Sequence, residues 1–220
     1  MINRAMIDRA GFIIANTRLL TPPLVPEIRL HLAEESLPIW RKTEEELGEM
    51  GLPPPYWAFA WAGGQALARY ILDHPEELAG KRVLDIGAGS GIAAIAAAKV
   101  GAREVAAADI DALAVIAMGL NATANDVAIS ATTDDWLSLD APQGDIILVG
   151  DLFYERELAE RVMNFIRRKA AEGSRVLVGD PRRNYFPKDA FAAMAHYDVP
   201  VTRELEDAEI KRAAVWQLHH

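Results

Sequence analysis

Hydrophobic and polar positions fall into two textures along the chain. From Lys81 onward, short apolar runs alternate with longer helical stretches. Arg82–Ile86 reads as a strand that runs into glycines, Ile92–Val100 as an alanine-rich helix, Glu104–Ala108 as a second strand ending at Asp109, and Ala112–Asn125 as a helix. Val127–Thr132 predicts a third strand. Asp145–Gly150 predicts a fourth, so uniformly apolar that both its faces must be buried, as in a parallel sheet. Glu155–Ala171 has the apolar spacing of an amphipathic helix, and Ser174–Gly179 predicts a fifth strand. A helix over Lys188–Ala195, a strand over Tyr197–Thr202 and a last strand over Lys211–Leu218 complete the pattern. Five strands alternating with helices predict a doubly wound α/β sheet. The last two, joined without a helix, predict an antiparallel hairpin at one edge.

Residues 1–55 differ. They carry scattered prolines (Pro22, Pro23, Pro26, Pro53, Pro54, Pro55), a short alternating stretch over Glu27–Leu32 that suggests a strand, and a helix-like stretch over Ile39–Met50. This segment is too small to hold a core alone. It is expected to be a small N-terminal extension, with residues 56–220 forming the domain.

Composition narrows the class. A chain of 220 residues, about half of them apolar, fits one domain with a sizeable core. The net charge of −9 argues against a nucleic-acid backbone as partner and suits a small molecule or a basic patch on another protein. The absence of cysteine excludes disulfides and thiolate metal sites. His31, His74 and His196 fit no metal or triad spacing, so no metal is expected. Met1–Leu20 lacks a signal-peptide core, and no apolar run reaches membrane-spanning length, so a soluble intracellular protein off the membrane is the default. His219 and His220 could belong to a tag and are given no role.

The strongest motif is Val83-Leu84-Asp85-Ile86-Gly87-Ala88-Gly89-Ser90-Gly91, where a strand turns into a helix. Glycines there let the backbone approach a ligand. A dinucleotide fingerprint wants its third glycine three places after the second, but Ile92 stands there and Gly91 comes one residue early. Asp85 would repel a pyrophosphate and suits a ligand with a cationic amino group, such as the methionine end of S-adenosylmethionine. A nicotinamide or flavin site and a purely structural turn are the competing readings. Asp109 can accept from both ribose hydroxyls of a nucleoside cofactor, or can cap the next helix, a task Asp111 could take instead. Asp134-Asp135-Trp136 follows the third strand, where Asp135 could accept from an adenine amino group and Trp136 could pack on the ring. The alternative is a solvated acidic turn with a buried Trp. Gly150-Asp151-Leu152-Phe153-Tyr154 ends the fourth strand. Asp151 could accept a hydrogen bond from an incoming amine, and Phe153 and Tyr154 could line its channel. Otherwise Asp151 caps the next helix and the aromatics are core. The run Tyr56-Trp57-Ala58-Phe59-Ala60-Trp61-Ala62-Gly63-Gly64-Gln65 is too aromatic for a solvated linker, and Trp61 could close over the cofactor or simply start a packed helix. Gly179-Asp180-Pro181-Arg182-Arg183 either shapes the substrate side or is an ordinary turn.

Together these motifs resemble the seven-β-strand protein lysine methyltransferases, whose motif after the fourth strand, Asp/Glu-x-x-Tyr/Phe, is matched by Asp151-Leu152-Phe153-Tyr154. The aromatic run and Gly179-Asp180-Pro181 look most like the branch that modifies the electron-transfer flavoprotein β subunit, with its bacterial relatives. The resemblance covers roughly residues 25–218. It implies a Rossmann-like methyltransferase sheet and S-adenosyl-L-methionine as cofactor. Trp61, Gly87, Gly89, Asp109, Trp136 and Gly150 would contact the cofactor, while Asp151 and Tyr154 would serve the target lysine. Ala62 departs from the proline that relatives often carry. The expected partner is the flavoprotein β subunit, the expected state a monomer, and the expected location the cytoplasm, since no Arg/Ser-rich transit segment is seen. A ribosomal protein or a small-molecule amine is the alternative target, and a non-catalytic module that binds S-adenosylmethionine the alternative class. Base-modifying relatives commonly carry Asn-Pro-Pro-Tyr where this chain has Asp-Leu-Phe-Tyr, which counts against a base substrate.

Overall fold

The computed structural model describes residues 8–34, 54–201 and 209–219. The helix expected over Ile39–Met50 lies outside them. Helix α1 (Arg9–Asn16), which the polarity pattern does not predict, starts at Asp8, whose carboxylate accepts from the Gly11 amide. Strands β1 (Arg18–Leu20) and β2 (Leu30–Leu32) form an antiparallel ribbon, so only the end of the expected 27–32 strand is extended pairing. A single 3-10 turn, Tyr56–Ala58, leads into α2 (Ala62–Asp73) and the short α3 (Pro75–Leu78).

The main sheet contains β3 (Arg82–Ile86), β4 (Glu104–Ala108), β5 (Ser130–Thr132), β6 (Ile146–Gly150), β7 (Arg175–Asp180), β8 (Phe191–Pro200) and β9 (Ile210–Leu218). Their spatial order is β5-β4-β3-β6-β7-β9-β8. The first five are parallel, while β9 is antiparallel to both β7 and β8. Helices α4 (Ile92–Lys99), α5 (Ala112–Ala124) and α6 (Arg156–Ala171) connect the parallel strands. The doubly wound sheet and the edge hairpin thus match the expectation.

The strand period of two sorts the core into two layers. Val83, Ile146, Leu148, Leu177 and Val215 pack with α2 and α4 on one face. Leu84, Ile86, Ile147, Val149, Val176, Val178 and Trp216 pack with Val162, Phe165 and Ile166 of α6 on the other. Burying each such side chain is worth about 1.5–3 kcal/mol. A smaller cluster joins Ile13 of α1 and Trp57 to Leu113 and Ala117 of α5, which docks the chain's first segment beside the sheet. Among the described residues no helix is long and apolar enough to cross a membrane.

One expected element is different. Lys188–Ala195 is not a helix: Lys188–Ala190 makes one 3-10 turn and β8 begins at Phe191. The alanine-rich sequence Phe191-Ala-Ala-Met-Ala favours helix locally, but pairing along β9, with an irregularity between Ala193 and Ala195, overrides that preference.

Candidate functional site

The order of strands reverses between β3 and β6, and an open α/β sheet has its ligand crevice at the carboxyl ends beside such a switch. A cleft of about 440 Å³ lies there. That is within the range of small-molecule sites. Its floor is the loop after β3, in which Gly87, Gly89 and Gly91 all have positive φ. A Cβ on Gly87 would strike the Leu152 side chain at 2.7 Å, whereas the nearest atom to one on Gly89 is 3.8 Å away. The loop is therefore tight against the β6 end and open toward the cleft at Gly89.

Asp109 leaves the end of β4 and reaches back under this loop. Its carboxylate accepts from the amides of Gly89 and Asp111, each at 2.9 Å. Burial raises its proton affinity. Capping of α5 falls to Asp111, which accepts from the Leu113 amide at 2.8 Å, so Asp109 is not the helix cap. The wall beyond it is apolar: Ile110, Ala114, Trp136 and Leu137 line it. Trp136 is otherwise buried in the second core layer. Asp135 also lines the cleft, but its oxygens are engaged by Ser138 and by Arg161 of α6 at 2.5 Å. Burial would raise Asp135; those partners outweigh it and hold the carboxyl below its usual range.

The opposite rim is built around Asp151, which takes φ +58 at the end of β6. Left-handed backbone costs a non-glycine residue about 1 kcal/mol or more and needs fixed surroundings. They are present. The Asp151 amide donates to Gly179 O at 3.0 Å, and its Oδ2 accepts from the Gly64 amide of α2 at 2.7 Å. Its Oδ1 accepts from Arg183 Nε at 2.9 Å and Nη2 at 2.6 Å. Asp151 does not cap α6, whose N-cap is Glu155. Three aromatic residues complete the rim. The Trp61 indole donates to Tyr56 O at 2.9 Å, and its ring lies 5.3 Å from the Arg183 guanidinium carbon. The Tyr154 ring is 5.9 Å from that of Tyr56 and remains 44% exposed.

Of the residues singled out from the sequence, Trp61, Gly87, Gly89, Asp109, Asp135, Trp136, Gly150, Asp151 and Tyr154 come together around this cleft. Three do not. Asp85 faces α4 because it shares the face of Val83 on β3. It is buried behind the loop, and its Oδ2 accepts from the Ala94 amide at 3.0 Å. Gly91 is the N-cap of α4 with its Cβ position against Met118, so it shapes the turn from outside the cleft. Phe153 points inward, fully buried against Phe186 and Phe191, and cannot line a substrate channel. The left-handed residue at Asp151 reverses the chain so that Tyr154 faces out and Phe153 faces in. Tyr56, Arg161 and Arg183 also line the cleft, although no sequence spacing points to any of them individually. The available signal for Arg183 was a basic pair just after the fifth strand.

Two buried carboxyls shape the pH dependence of folding. Asp85 and Asp180 are both pushed up to about 7, chiefly by burial. The native state therefore holds more protons than the unfolded chain between about pH 4 and 7, and stability falls as pH rises through that window. His31, lowered by burial, opposes this below its ordinary value of 6.5, as one group against two. The urea unfolding midpoint is expected to be higher at pH 5.5 than at pH 8, by about 2 kcal/mol in free energy. Asp85→Asn, which keeps an acceptor for Ala94, should shrink the difference. A midpoint that instead rises with pH would show that these carboxyls are not held protonated.

The donor set suits a nucleoside cofactor. Asp109 presents acidic oxygens beside an open glycine loop, next to the apolar wall of Ile110, Ala114, Trp136 and Leu137, with Asp151 and Arg183 also lining the cleft. Comparison with known proteins agrees. Residues 65–172 match the family model described as Ribosomal protein L11 methyltransferase (PrmA). The Danio rerio electron transfer flavoprotein beta subunit lysine methyltransferase is 38% identical over 217 residues, spanning 96% of this chain and 83% of that protein. The Homo sapiens protein of the same name is 33% identical, spanning 94% and 80%. Among solved structures, a ribosomal protein L11 methylase from Lactobacillus delbrueckii subsp. bulgaricus shares the fold at a TM-score of 0.52 and 22% identity, covering 74% of this chain and 81% of that one. The chain belongs to the family of the electron transfer flavoprotein beta subunit lysine methyltransferases.

Proposed function

We propose that this protein transfers methyl groups from S-adenosylmethionine to a lysine ε-amine of the electron transfer flavoprotein β subunit. The observation that carries this reading is the near full-length similarity to relatives that all bear that name. The cleft supports it. When bound, S-adenosylmethionine supplies a methyl carbon made electrophilic by a positively charged sulfur, so that a neutral amine can displace a thioether. The protein's part is alignment, which in such displacements supplies much of the rate. Asp109 would accept from the ribose hydroxyls, Gly89 would let the ligand approach the backbone, and Ile110, Trp136 and Leu137 would enclose the base. Trp61 and Gly150 wall the reacting end. Asp151 accepts from the incoming amine, and Tyr154 stands at the mouth, where its ring can hold a methylated ammonium by cation–π attraction worth about 0.5–2 kcal/mol.

A ribosomal substrate is the second reading, favoured by the L11 methyltransferase model over residues 65–172 and by the Geobacter sulfurreducens L11 methyltransferase at 34% identity, of which this chain covers 56%. Incubation of the protein with labelled S-adenosylmethionine and either purified flavoprotein β subunit or ribosomal protein L11, followed by mass spectrometry, separates the two. Lysine methylation of the flavoprotein subunit alone is expected; labelling of L11 alone would overturn the assignment.

Asp109→Ala is expected to weaken S-adenosylmethionine binding at least tenfold by calorimetry, about 1.4 kcal/mol of lost hydrogen bonding. An unchanged dissociation constant would remove the ribose role.

A further inference from the structure

A lysine side chain is an ammonium at neutral pH, with an ordinary pKa near 10.4, and an ammonium has no lone pair to attack with. A bare carboxylate at the reaction point makes this worse, because an opposite charge within about 4–6 Å holds the proton on. The cleft is rich in carboxyls: Asp109, Asp111, Asp134 and Asp135 line it together with Asp151. An acceptor for the amine and a neutral amine are therefore conflicting requirements.

The fold places a permanent cation where it resolves that conflict. Arg183 grips one oxygen of Asp151 through two nitrogens, at 2.9 and 2.6 Å, with only 16% of its side chain exposed. A guanidinium stays protonated throughout the accessible pH range. Its position is not an accident of a loose surface loop. Arg182 takes φ +67, the Arg183 amide donates to Asp180 Oδ1 at 2.7 Å, and the guanidinium packs over the Trp61 ring. Among the described residues, the charged and titratable groups around this point include Asp180 at the end of β7, Glu155 and Tyr154 on the loop after β6, Tyr56 from the aromatic turn, and Asp109 across the cleft. Burial, with the Asp151 charge beside it, pushes Asp180 up to about 7, so it adds only part of a negative charge at neutral pH. Arg161 offsets Asp135 in the same way on the far wall.

We propose that Arg183 is a positioning and specificity residue that keeps the target lysine amine neutral while Asp151 orients it. The proposal rests on the reading that Asp151 receives the amine. Paired with Arg183, Asp151 still accepts an N–H hydrogen bond but presents little net negative charge, and the guanidinium beside it penalises an ammonium. The lysine gives its proton to solvent on entering. Its lone pair forms the bond to the methyl carbon, the carbon–sulfur bond breaks with its electrons left on sulfur, and the methylammonium formed beside Arg183 is repelled and deprotonates to solvent. An arginine side chain, which cannot shed its proton, is excluded by the same repulsion.

The test measures single-turnover methylation of the flavoprotein β subunit from pH 6 to 10 by the native protein, Arg183→Gln, Arg183→Lys and Asp180→Asn, with Arg183→Met as a second neutral replacement. The acid limb should move up by about one pH unit or more in the Gln and Met variants, return close to the native position in Arg183→Lys, and not move up in Asp180→Asn, which removes a carboxyl rather than a cation. A second readout needs no turnover. Calorimetry of β-subunit binding to the S-adenosylhomocysteine complex at pH 8, in two buffers of different ionisation enthalpy, should show about one proton released per site in the native protein and markedly fewer in Arg183→Gln. A lower plateau with an unmoved limb and unchanged proton release would reduce Arg183 to a structural prop and overturn the proposal. If Asp151→Asn kept the native rate, limb and proton release, the reading of Asp151 would fall and the proposal with it. If Asp151→Asn is inactive but the Arg183 variants do not shift, the proposal alone is lost.

Discussion

Asp151→Asn is expected to lower turnover by about two orders of magnitude while leaving S-adenosylmethionine affinity within about threefold. Asparagine is the right replacement because, like aspartate, it tolerates the left-handed backbone that Asp151 adopts at φ +58. An alanine there would add backbone strain to the loss of the carboxylate. The amide can keep one acceptor toward the Gly64 amide, so the seat on α2 persists, but the charge that engages Arg183, and that the proposed mechanism offers to the amine, is gone. Two effects then coincide: the acceptor for the nucleophile weakens, and the guanidinium loses the partner that fixes it. Neither touches the Asp109 end of the cleft, which is why affinity for the cofactor should hold. Rapid-quench turnover and calorimetry on the same preparation check both halves. A variant with near-native turnover would remove Asp151 from the reaction; a variant with collapsed cofactor affinity would show that it instead holds the cleft together.

Gly179→Ala is expected to destabilise the fold by about 3 kcal/mol or more, or to give insoluble protein. Here backbone meets backbone. A Cβ on Gly179 would lie 2.1 Å from Gly63 O, and one on Gly63 would lie 2.3 Å from Gly179 O. No flexible side chain can move aside, so α2 would have to lift off β7. Lifting α2 also withdraws the Gly64 amide from Asp151, so the surviving folded fraction should be less active than its amount predicts. Urea unfolding midpoints and activity per folded molecule are the measurements. An unchanged midpoint would mean that the helix and strand separate more cheaply than this contact implies.

Much of the sheet can be read directly from polarity. Val83–Ile86 and Ile146–Val149 are buried on both faces, and their short length and β-branched residues fit central strands. The glycine loop and Asp109 were legible because both lie next to their strands, within a short stretch where local rules suffice. Legibility failed where long-range geometry decides. Phe191–Ala195 looks helical by composition and becomes strand only because β9 lies beside it. Phe153 and Tyr154 are neighbours with the same chemistry, and the positive φ two residues earlier sends one into the core and the other to the rim. On charge alone Asp85 suits a ligand, but the alternation of β3 turns it toward α4. Arg183 meets Asp151 across 32 residues of sequence, through a turn whose shape is set by Arg182 and Asp180. No spacing rule connects them.

The order of strands also has a consequence for how the molecule is made. Strand β8 pairs with β9, and β9 lies between β8 and the rest of the sheet. On the ribosome β8 therefore emerges before the strand that gives it a place, and the β7 edge stays open until Ile210–Leu218 has left the exit tunnel. Unpaired edges of this kind are where nascent chains associate wrongly. The last described strand is thus the closing piece of the sheet, and a ribosome stalled shortly before it releases a chain whose cofactor loop is complete but whose sheet is not.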